Sequence, residues 1–528
     1  MCDGYGVWGG GGNAYGTAER TLNHIARHTL QPSRRLDLVP GLTQQEWDAF
    51  QYFRVRTVIK LPGVFGSDFW QKLVFQISLQ EPAVLHATIA LAATHRRGII
   101  PGHMRRPFPV PDKTGAAMDP NERLALQQYN KAINHLRPHL DTEDEQSMRV
   151  TLATCVLFIC IELLKGDIEN SQAHFRSGLM LLRAVHSAPT PSSADEYLTE
   201  AFVRINLQPS LFTKGPEYAD MWMPGRTNRS KSQIPLIFDS MNEARRHLDW
   251  ILHDTHLLSA ETNSLILPDG IEAPSHLIQR REALQASLSA WLRTTTASIP
   301  GIRARCRGRD DNVTLGEPLL LLYHRMASIM VATSLRRADE TAFDRHTADF
   351  ADILEKTIEL WNRVLIALRS QVSCGTLGRD LGFTADMGFI PPLYYTALKC
   401  RVPRYRRCAE HFLVTTPHRE GMWDGTLAAV VARKIFELEE GDFYGATDVS
   451  FAQGELPSLH RVPPDDVPLP PGERRINDVC VSVPEIGSAG ESKAAVACRR
   501  YNAVTGWETE RVELVFRPDS LCYTGGTT

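Results

Sequence analysis

The sequence predicts an all-α fold, a large array of packed helical hairpins with a small β-containing C-terminal tail. Helical periodicity, punctuated by start and stop signals, dominates from about residue 43 to 450. The most apolar stretch, Val150 to Leu164, contains Thr151, Thr154 and Glu162 and falls short of the roughly twenty residues that cross a bilayer, so it reads as a core helix and predicts no membrane attachment. Near the end of the chain, six prolines between Pro457 and Pro471 precede segments of alternating apolar residues.

Glu81-Pro82 opens a helix with Leu85, Ile89 and Ala92 on one face. His95, Arg96 and Arg97 then precede Gly98, the charge order and stop residue that suit a helix C-terminus. Asn121 is read as the cap of the next helix, where Leu126, Tyr129, Ile133 and Leu136 recur at helical spacing before Pro138. Gln146 to Lys165 is apolar nearly all round and Gly166 breaks it. Ile168, Gln172, Phe175, Leu179 and Leu182 form the stripe of an antiparallel neighbour. Leu277, Arg281, Leu284, Leu288 and Trp291 repeat the pattern, as do Phe350, Leu354, Ile358, Trp361, Leu365 and Leu368. Between these two stripes, Pro318 is read as the start of a helix from Leu319 to Leu335. Proline, glycine and serine place loops or seams at 99–120 and 187–193, and another falls at 213–234. Asp478 to Val483 and Arg511 to Phe516 are predicted strands. The segments Leu126 to Tyr129 and Ala173 to Phe175 look like two copies of a small-then-aromatic helical repeat. Their offset near 46 does not establish a solenoid.

With 528 residues, 43% hydrophobic and 23% charged, the chain has the make-up of a soluble globular protein of roughly two to four domains. Its 58 Lys and Arg against 61 Asp and Glu give a net charge of −3, which excludes nucleic-acid binding by bulk charge and leaves only local contact. The ten cysteines form no C-x-x-C pair, arguing against a disulfide scaffold or a complete structural zinc module. Met1 to Gly16 is glycine-rich and lacks a basic region followed by an apolar one, so the chain is expected to stay inside the cell.

Several motifs fail a physical test. Gly4, Gly6 and Gly9 match a dinucleotide fingerprint, but no strand can precede them and Gly10 to Gly12 cannot open a helix, so the run is a flexible linker. Phosphate-loop, H-E-x-x-H and G-x-S-x-G signatures do not occur. His86, His135 and His174 lie near apolar helix faces, where hydrogen bonding at a core edge outweighs proton transfer as a reading. Asp141, Glu143, Asp144 and Glu145 precede a helix and suit its dipole better than they suit paired catalysis. Arg401, Arg404, Arg406 and Arg407, with Tyr405 among them, form the densest basic patch. It is a candidate for phosphate contact or nuclear import, set against a solvated face or intramolecular partners for acids. Asn228 and Asn312 begin glycosylation sequons that carry no meaning without secretion.

Other segments carry a family resemblance. Glu46-Trp47-Asp48-Ala49-Phe50-Gln51-Tyr52-Phe53, Ser67-Asp68-Phe69-Trp70 and Glu81-Pro82-Ala83-Val84-Leu85-His86-Ala87 resemble the opening of the helical regulatory region in fungal zinc binuclear cluster transcription factors. Leu126 to Ile133, His174 to Leu179, Met387 to Tyr394, Lys399 to Arg401 and Arg419 to Asp424 are similar to later parts of it, in order, over about residues 43 to 445. Cys2-Asp3-Gly4-Tyr5 resembles the end of that family's six-cysteine cluster. The resemblance makes Cys2 the sixth zinc ligand, the five others lying ahead of Met1. One cysteine cannot hold two zinc ions, so the chain as given is not expected to form the DNA-binding module. Either the start is an internal methionine of a longer chain, which the intact linker favours, or the DNA reader has been lost.

The expected organisation is a cluster remnant and linker at 1–42, a helical regulatory domain at 43–450, and a Pro-rich linker with a small β-containing tail at 451–528. The resemblance implies a nuclear transcriptional regulator, often of a secondary-metabolite gene cluster, that is not an enzyme. Its implied partners are other transcription-regulatory proteins, a small-molecule effector, a second copy in a homodimer, and DNA only through the missing upstream zinc cluster. In this chain itself no cofactor is expected, zinc entering only with that cluster. The rival readings are a helical scaffold or co-regulator without DNA contact and an all-helical enzyme with a deep pocket of convergent titratable groups.

Overall fold

The computed structural model describes residues 41–97, 118–142, 144–185, 193–212, 234–263, 273–306, 311–372, 383–415, 419–445, 467–482, 485–486, 492–517 and 520–526. The glycine-rich start, Gly98, most of the anticipated loops at 99–120, 187–193 and 213–234, and most of the proline cluster lie outside the described residues.

Helix α1 (Gln44–Tyr52) begins with a reciprocal cap. Thr43 Oγ1 accepts from the Glu46 N–H, and the Glu46 carboxylate accepts from the Thr43 N–H at 2.9 Å. Two π-helical turns, Phe53–Thr57 and Phe69–Leu73, lead to α2 (Val74–Ser78). Helix α3 (Pro82–Arg97) packs against both α4 (Pro120–Leu140) and α5 (Glu145–Lys165). At the end of α5, Gly166 adopts φ 86°, its N–H bonds the Leu163 carbonyl, and the Asp167 N–H reaches back to the Glu162 carbonyl at 2.9 Å. A two-residue connection of this kind forces α6 (Ile168–Val185) back along α5 as a helical hairpin. Although α5 is apolar and long enough to cross a membrane, every residue from Val150 to Leu163 is buried in this body.

Two start signals were misplaced. Asp119, not Asn121, caps α4, accepting from the Asn121 and Glu122 N–H groups. The helix runs through Pro138 to Leu140, and its inward face is Leu124, Ala125, Gln128, Ala132 and Leu136 while Leu126 faces out. The stripe lay slightly off because docking on α1 is fixed by a polar residue, Gln128, that a hydrophobic pattern does not count. Pro318 does not start its helix either. It sits inside α10 (Asp311–Thr333), where the Thr314 carbonyl, deprived of its ladder partner by the missing proline N–H, accepts from Arg363 Nη1 at 2.6 Å.

Helices α7 (Ser193–Phe212), α8 (Met241–Asn263) and α9 (Ser275–Cys306) continue the array, with α8, α9 and α10 packed on one another. A 3₁₀ helix, Glu340–His346, leads to α11 (Thr347–Val372), with Phe350 and Leu354 buried and Ile358 and Trp361 half-buried. The side chains of Leu365 and Leu368 lie outside those described. Strand β1 (Phe383–Thr384) pairs in parallel with β2 (Arg419–Glu420), which pairs antiparallel with β3 (Trp423–Asp424). Between β1 and β2 lie α12 (Ile390–Lys399) and α13 (Pro403–Thr415), and α14 (Gly425–Glu440) follows.

The tail forms more sheet than the two predicted strands. Strands β4 (Asp478–Val481), β6 (Ser492–Asn502), β7 (Gly506–Arg517) and β8 (Ser520–Gly526) line up antiparallel, with β5 (Glu485–Ile486) also on β6. The alanines that alternate with Val496 and Cys498 in β6 have weak strand preference, which hides the strand from a sequence reading. Val479, Val481, Ala494, Val496, Cys498, Val512 and Leu514 point inward and join the same hydrophobic core as the helices.

Candidate functional site

The structure overturns the readings of the predicted basic patch as a phosphate contact, an import signal or a solvated face. The side chains of Arg401 and Arg406 are 0% exposed. Arg401 donates to Glu439 at 2.7 Å and pairs with Glu340 at 2.9 Å. Arg406 donates to Glu439 at 2.6 Å, to Glu440 at 3.1 Å and to the Ala397 carbonyl at 3.0 Å. Arg407 pairs with Glu440, and both Arg406 and Arg407 stack on the Phe436 ring. Arg404 is half-buried on the same turn. Of the alternatives the sequence left open, intramolecular partners are realised for Arg401, Arg406 and Arg407. Glu439 and Glu440 lie more than thirty residues on, in the last turn of α14, and Glu340 lies well before the patch, so none of the partners can be seen in the local sequence.

This ion cluster joins the helical body to the C-terminal sheet. Glu439 also accepts from the Ile476 N–H at 2.7 Å. Lys399 Nζ donates to Glu340 at 2.8 Å and to the Asn477 carbonyl at 2.7 Å, and Arg475 grips Asp344 with two bonds of 2.7 and 2.9 Å. Burial alone would raise the Glu439 carboxyl, but the Arg401 and Arg406 guanidiniums and the Ile476 N–H hold it at about 2. Beside the cluster is a cavity of about 40 Å³ lined in part by Arg336, Arg337, Glu340, Phe343 and Lys399. Drug-sized ligands occupy pockets of about 300–1,000 Å³, so this cavity is not the deep pocket an all-helical enzyme would need.

A second polar hub sits where α7, α8 and the β1–α12 connection meet. Glu420, fully buried on β2, accepts from the Gly388, Phe389 and Ile390 N–H groups at 2.7, 3.0 and 3.2 Å, and so caps α12 from a distance. Gln208 bridges the Ala385 carbonyl and the Met422 N–H, both at 2.9 Å. Arg245 donates to Asp386 at 2.5 Å and lies 3.6 Å from Asp249, while Arg204 pairs with Glu200 at 2.8 Å and reaches Asp386 and Asp249 at 3.4 and 3.7 Å. Asp386 stays low because Arg245, Arg204 and the Met387 N–H outweigh its burial. Asp249 is lifted to about 6 by burial, with Asp386 and Glu200 adding to it and the two arginines only partly opposing.

The histidines occupy core edges. His86 bonds Gln128 Oε1 at 2.6 Å and stacks on His135, and Gln128 passes the contact to Glu46 at 2.5 Å, which Lys131 also binds at 2.7 Å. His174 lies 3.1 Å from the Tyr129 hydroxyl. Burial lowers both His86 and His174. Asp144 caps α5 through the Ser147 N–H, Glu145 pairs with Arg149, and Asp141 closes α4. Glu143 lies outside the described residues, as does Cys2, the one residue singled out as a metal ligand. Burial raises the Cys155, Cys400, Cys408 and Cys498 thiols to about 12, and among the described residues no three potential ligands gather. Sequence reasoning missed the Glu420 and Glu439 hubs, although Glu420 falls within the Arg419 to Asp424 segment that carried the resemblance.

Comparison with known proteins places these features in context. Residues 49–372, more than half of the chain, match the family model described as the fungal specific transcription factor domain. The chain is 32% identical over 166 residues to the aspercryptin biosynthesis cluster-specific transcription regulator atnN of Emericella nidulans, covering 30% of this chain and 25% of that protein. It is 21% identical over 317 residues to the transcription regulator lscL of Purpureocillium lilacinum, covering 56% of this chain and 71% of that protein. The match thus spans only a quarter of the first relative's length. No solved structure matches.

Proposed function

Because the chain belongs to the fungal specific transcription factor family, we propose that it is a regulator of a secondary-metabolite gene cluster whose helical body receives and transmits a regulatory signal. The carrying observation is that the family match at 49–372 falls within the helical body and covers its helices from the latter part of α1 to α11. Both relatives are named as transcription regulators and neither as an enzyme, which points to a regulator without catalysis. The family implies work in the nucleus, and a fluorescent fusion of the full chain is expected to concentrate there.

Contact with DNA is assigned to a zinc cluster in which Cys2 supplies one thiolate, with the remaining cysteines encoded upstream. The burial of Arg401 and Arg406 supports this by removing the strongest basic alternative in the body. In a mobility-shift assay the 528-residue chain is expected to give no specific complex, and a chain extended by an upstream reading frame a zinc-dependent one. Specific, zinc-independent binding by the shorter chain would overturn the assignment. The same burial favours, as a second reading, a co-regulator that never touches DNA. In that case no upstream frame encodes five suitably spaced cysteines, and cluster transcripts change on gene deletion only when a DNA-binding partner is present.

A further inference from the structure

We propose that Asp249 is a proton-operated latch on the connection between β1 and α12. As a neutral acid it leaves Arg245 and Arg204 to Asp386, and as a carboxylate it draws them away and loosens the connection. The proposal deepens the regulator reading, and rests on it for its use, by naming the proton as a signal the helical body receives. Two guanidiniums face three carboxylates, those of Glu200, Asp249 and Asp386, so the cluster balances only when one acid holds a proton. Distance singles out Asp249. Arg204 lies 2.8 Å from Glu200 and Arg245 bonds Asp386 at 2.5 Å, whereas Asp249 Oδ2 stands 3.6 and 3.7 Å from the Arg245 and Arg204 Nε atoms, beyond hydrogen-bonding distance.

Among the described residues that Oδ2 is buried without a hydrogen bond, and so are Arg204 Nε and Arg245 Nη1. Charged donors and an acceptor left unspent this close together suit the neutral acid. An ionised one in the same place is unsolvated and takes those bonds, a shift of roughly 1 Å. It takes them from Asp386. The Asp386 carboxylate also accepts from the Met387 N–H at 3.0 Å, and the next three amides are those held by Glu420. Stripped of Arg245, the buried Asp386 is short of countercharge and this backbone opens to water. Tyr323 on α10, which donates to the Gly388 carbonyl at 2.7 Å, and Cys160 on α5 also face the cluster, and burial raises both, so they stay neutral. His253 and Asp254 lie about one turn further along α8, His253 against Asn206 Nδ2 at 3.4 Å. With Asp249 lifted to about 6, its charge changes between pH 5 and 7.5.

The test is hydrogen exchange of the full chain at pH 5 and 7.5, each rate divided by the intrinsic rate at that pH. The Gly388, Phe389 and Ile390 amides are expected to lose protection about tenfold between the two, the ratio given by linkage to an acid of pKa about 6 when latched and 3.8 when released. The Ile476 amide, held by Glu439 with its pKa of about 2, is expected to keep its protection. Asp249→Asn fixes the neutral form and is expected to protect the three amides equally at both pH values. A pH profile retained in Asp249→Asn would assign the titration to His253 or another group and overturn the latch. Unchanged protection in the wild-type chain would overturn it too, whether or not the variant folds. Either result leaves the family-based regulator reading, tested on DNA and transcripts, untouched.

Discussion

Glu439 shows how one side chain fixes a joint. It faces Arg401 and Arg406 with 0% exposure, so Glu439→Gln leaves two buried guanidiniums short of countercharge. A loss of about 3–5 kcal/mol is expected, read as a lower urea midpoint. Its folded pKa of about 2 lies below the ordinary 4.5, so its contribution is complete above about pH 4.5 and fades as pH falls toward 2. Asp249 has the opposite sign. Lifted from 3.8 to about 6, it contributes fully below about pH 3.8 and loses that contribution as pH rises through 6. Urea melts at pH 4 and 7 should therefore show the stability of wild type relative to Asp249→Asn falling by about 2 kcal/mol between the two. An equal difference at both pH values would contradict the lift. Gly178 tests packing, since a Cβ there would stand 2.5 Å from the ring of the wholly buried Phe202, which also packs on Phe175. Gly178→Ala is expected to cost about 1–3 kcal/mol by overpacking.

At the scale of elements, legibility followed the range of the forces involved. Helix α5 could be read almost residue by residue, because its ends are set by Asp144 and Gly166 and its apolar surface by the side chains between them. The start of α10 could not, because the carbonyl that Pro318 leaves without its helical partner is satisfied by Arg363 from α11. Helix α14 combines both cases. Its N-terminus is local, with Asp424 accepting from the Leu427 N–H at 3.0 Å, and Asp424→Ala should cost about 1 kcal/mol. Its C-terminus instead meets the sheet through Glu439 and Glu440, so that substitution should leave the seam intact. Hydrogen exchange checks both points: faster exchange is expected in the first turn of α14 and unchanged protection at Ile476.

On the scale of the whole molecule, the described helices and the C-terminal sheet share one hydrophobic core, from Ala49 to Leu514. The polar hubs around Glu420 and Glu439 fasten these parts together. In hydrogen exchange the amides of α5, buried from Val150 to Leu163, are expected to be the last to open, while those at the exposed Leu236 and Ile237 exchange early. Early exchange along α5 would deny the single shared core.

The helical class, the core character of α5, the presence of strands after the prolines and the family resemblance were legible in the amino-acid order alone, because periodicity, caps and short motifs act between near neighbours. It took the folded chain to show that Arg401 and Arg406 are buried ion-pair partners, that Gln128 rather than Leu126 faces inward, and that the tail's sheet closes over α14. Each of those outcomes depends on a charge or hydrogen-bond partner far along the chain. Desolvation makes such groups worth burying only once the fold has brought both members of the pair together.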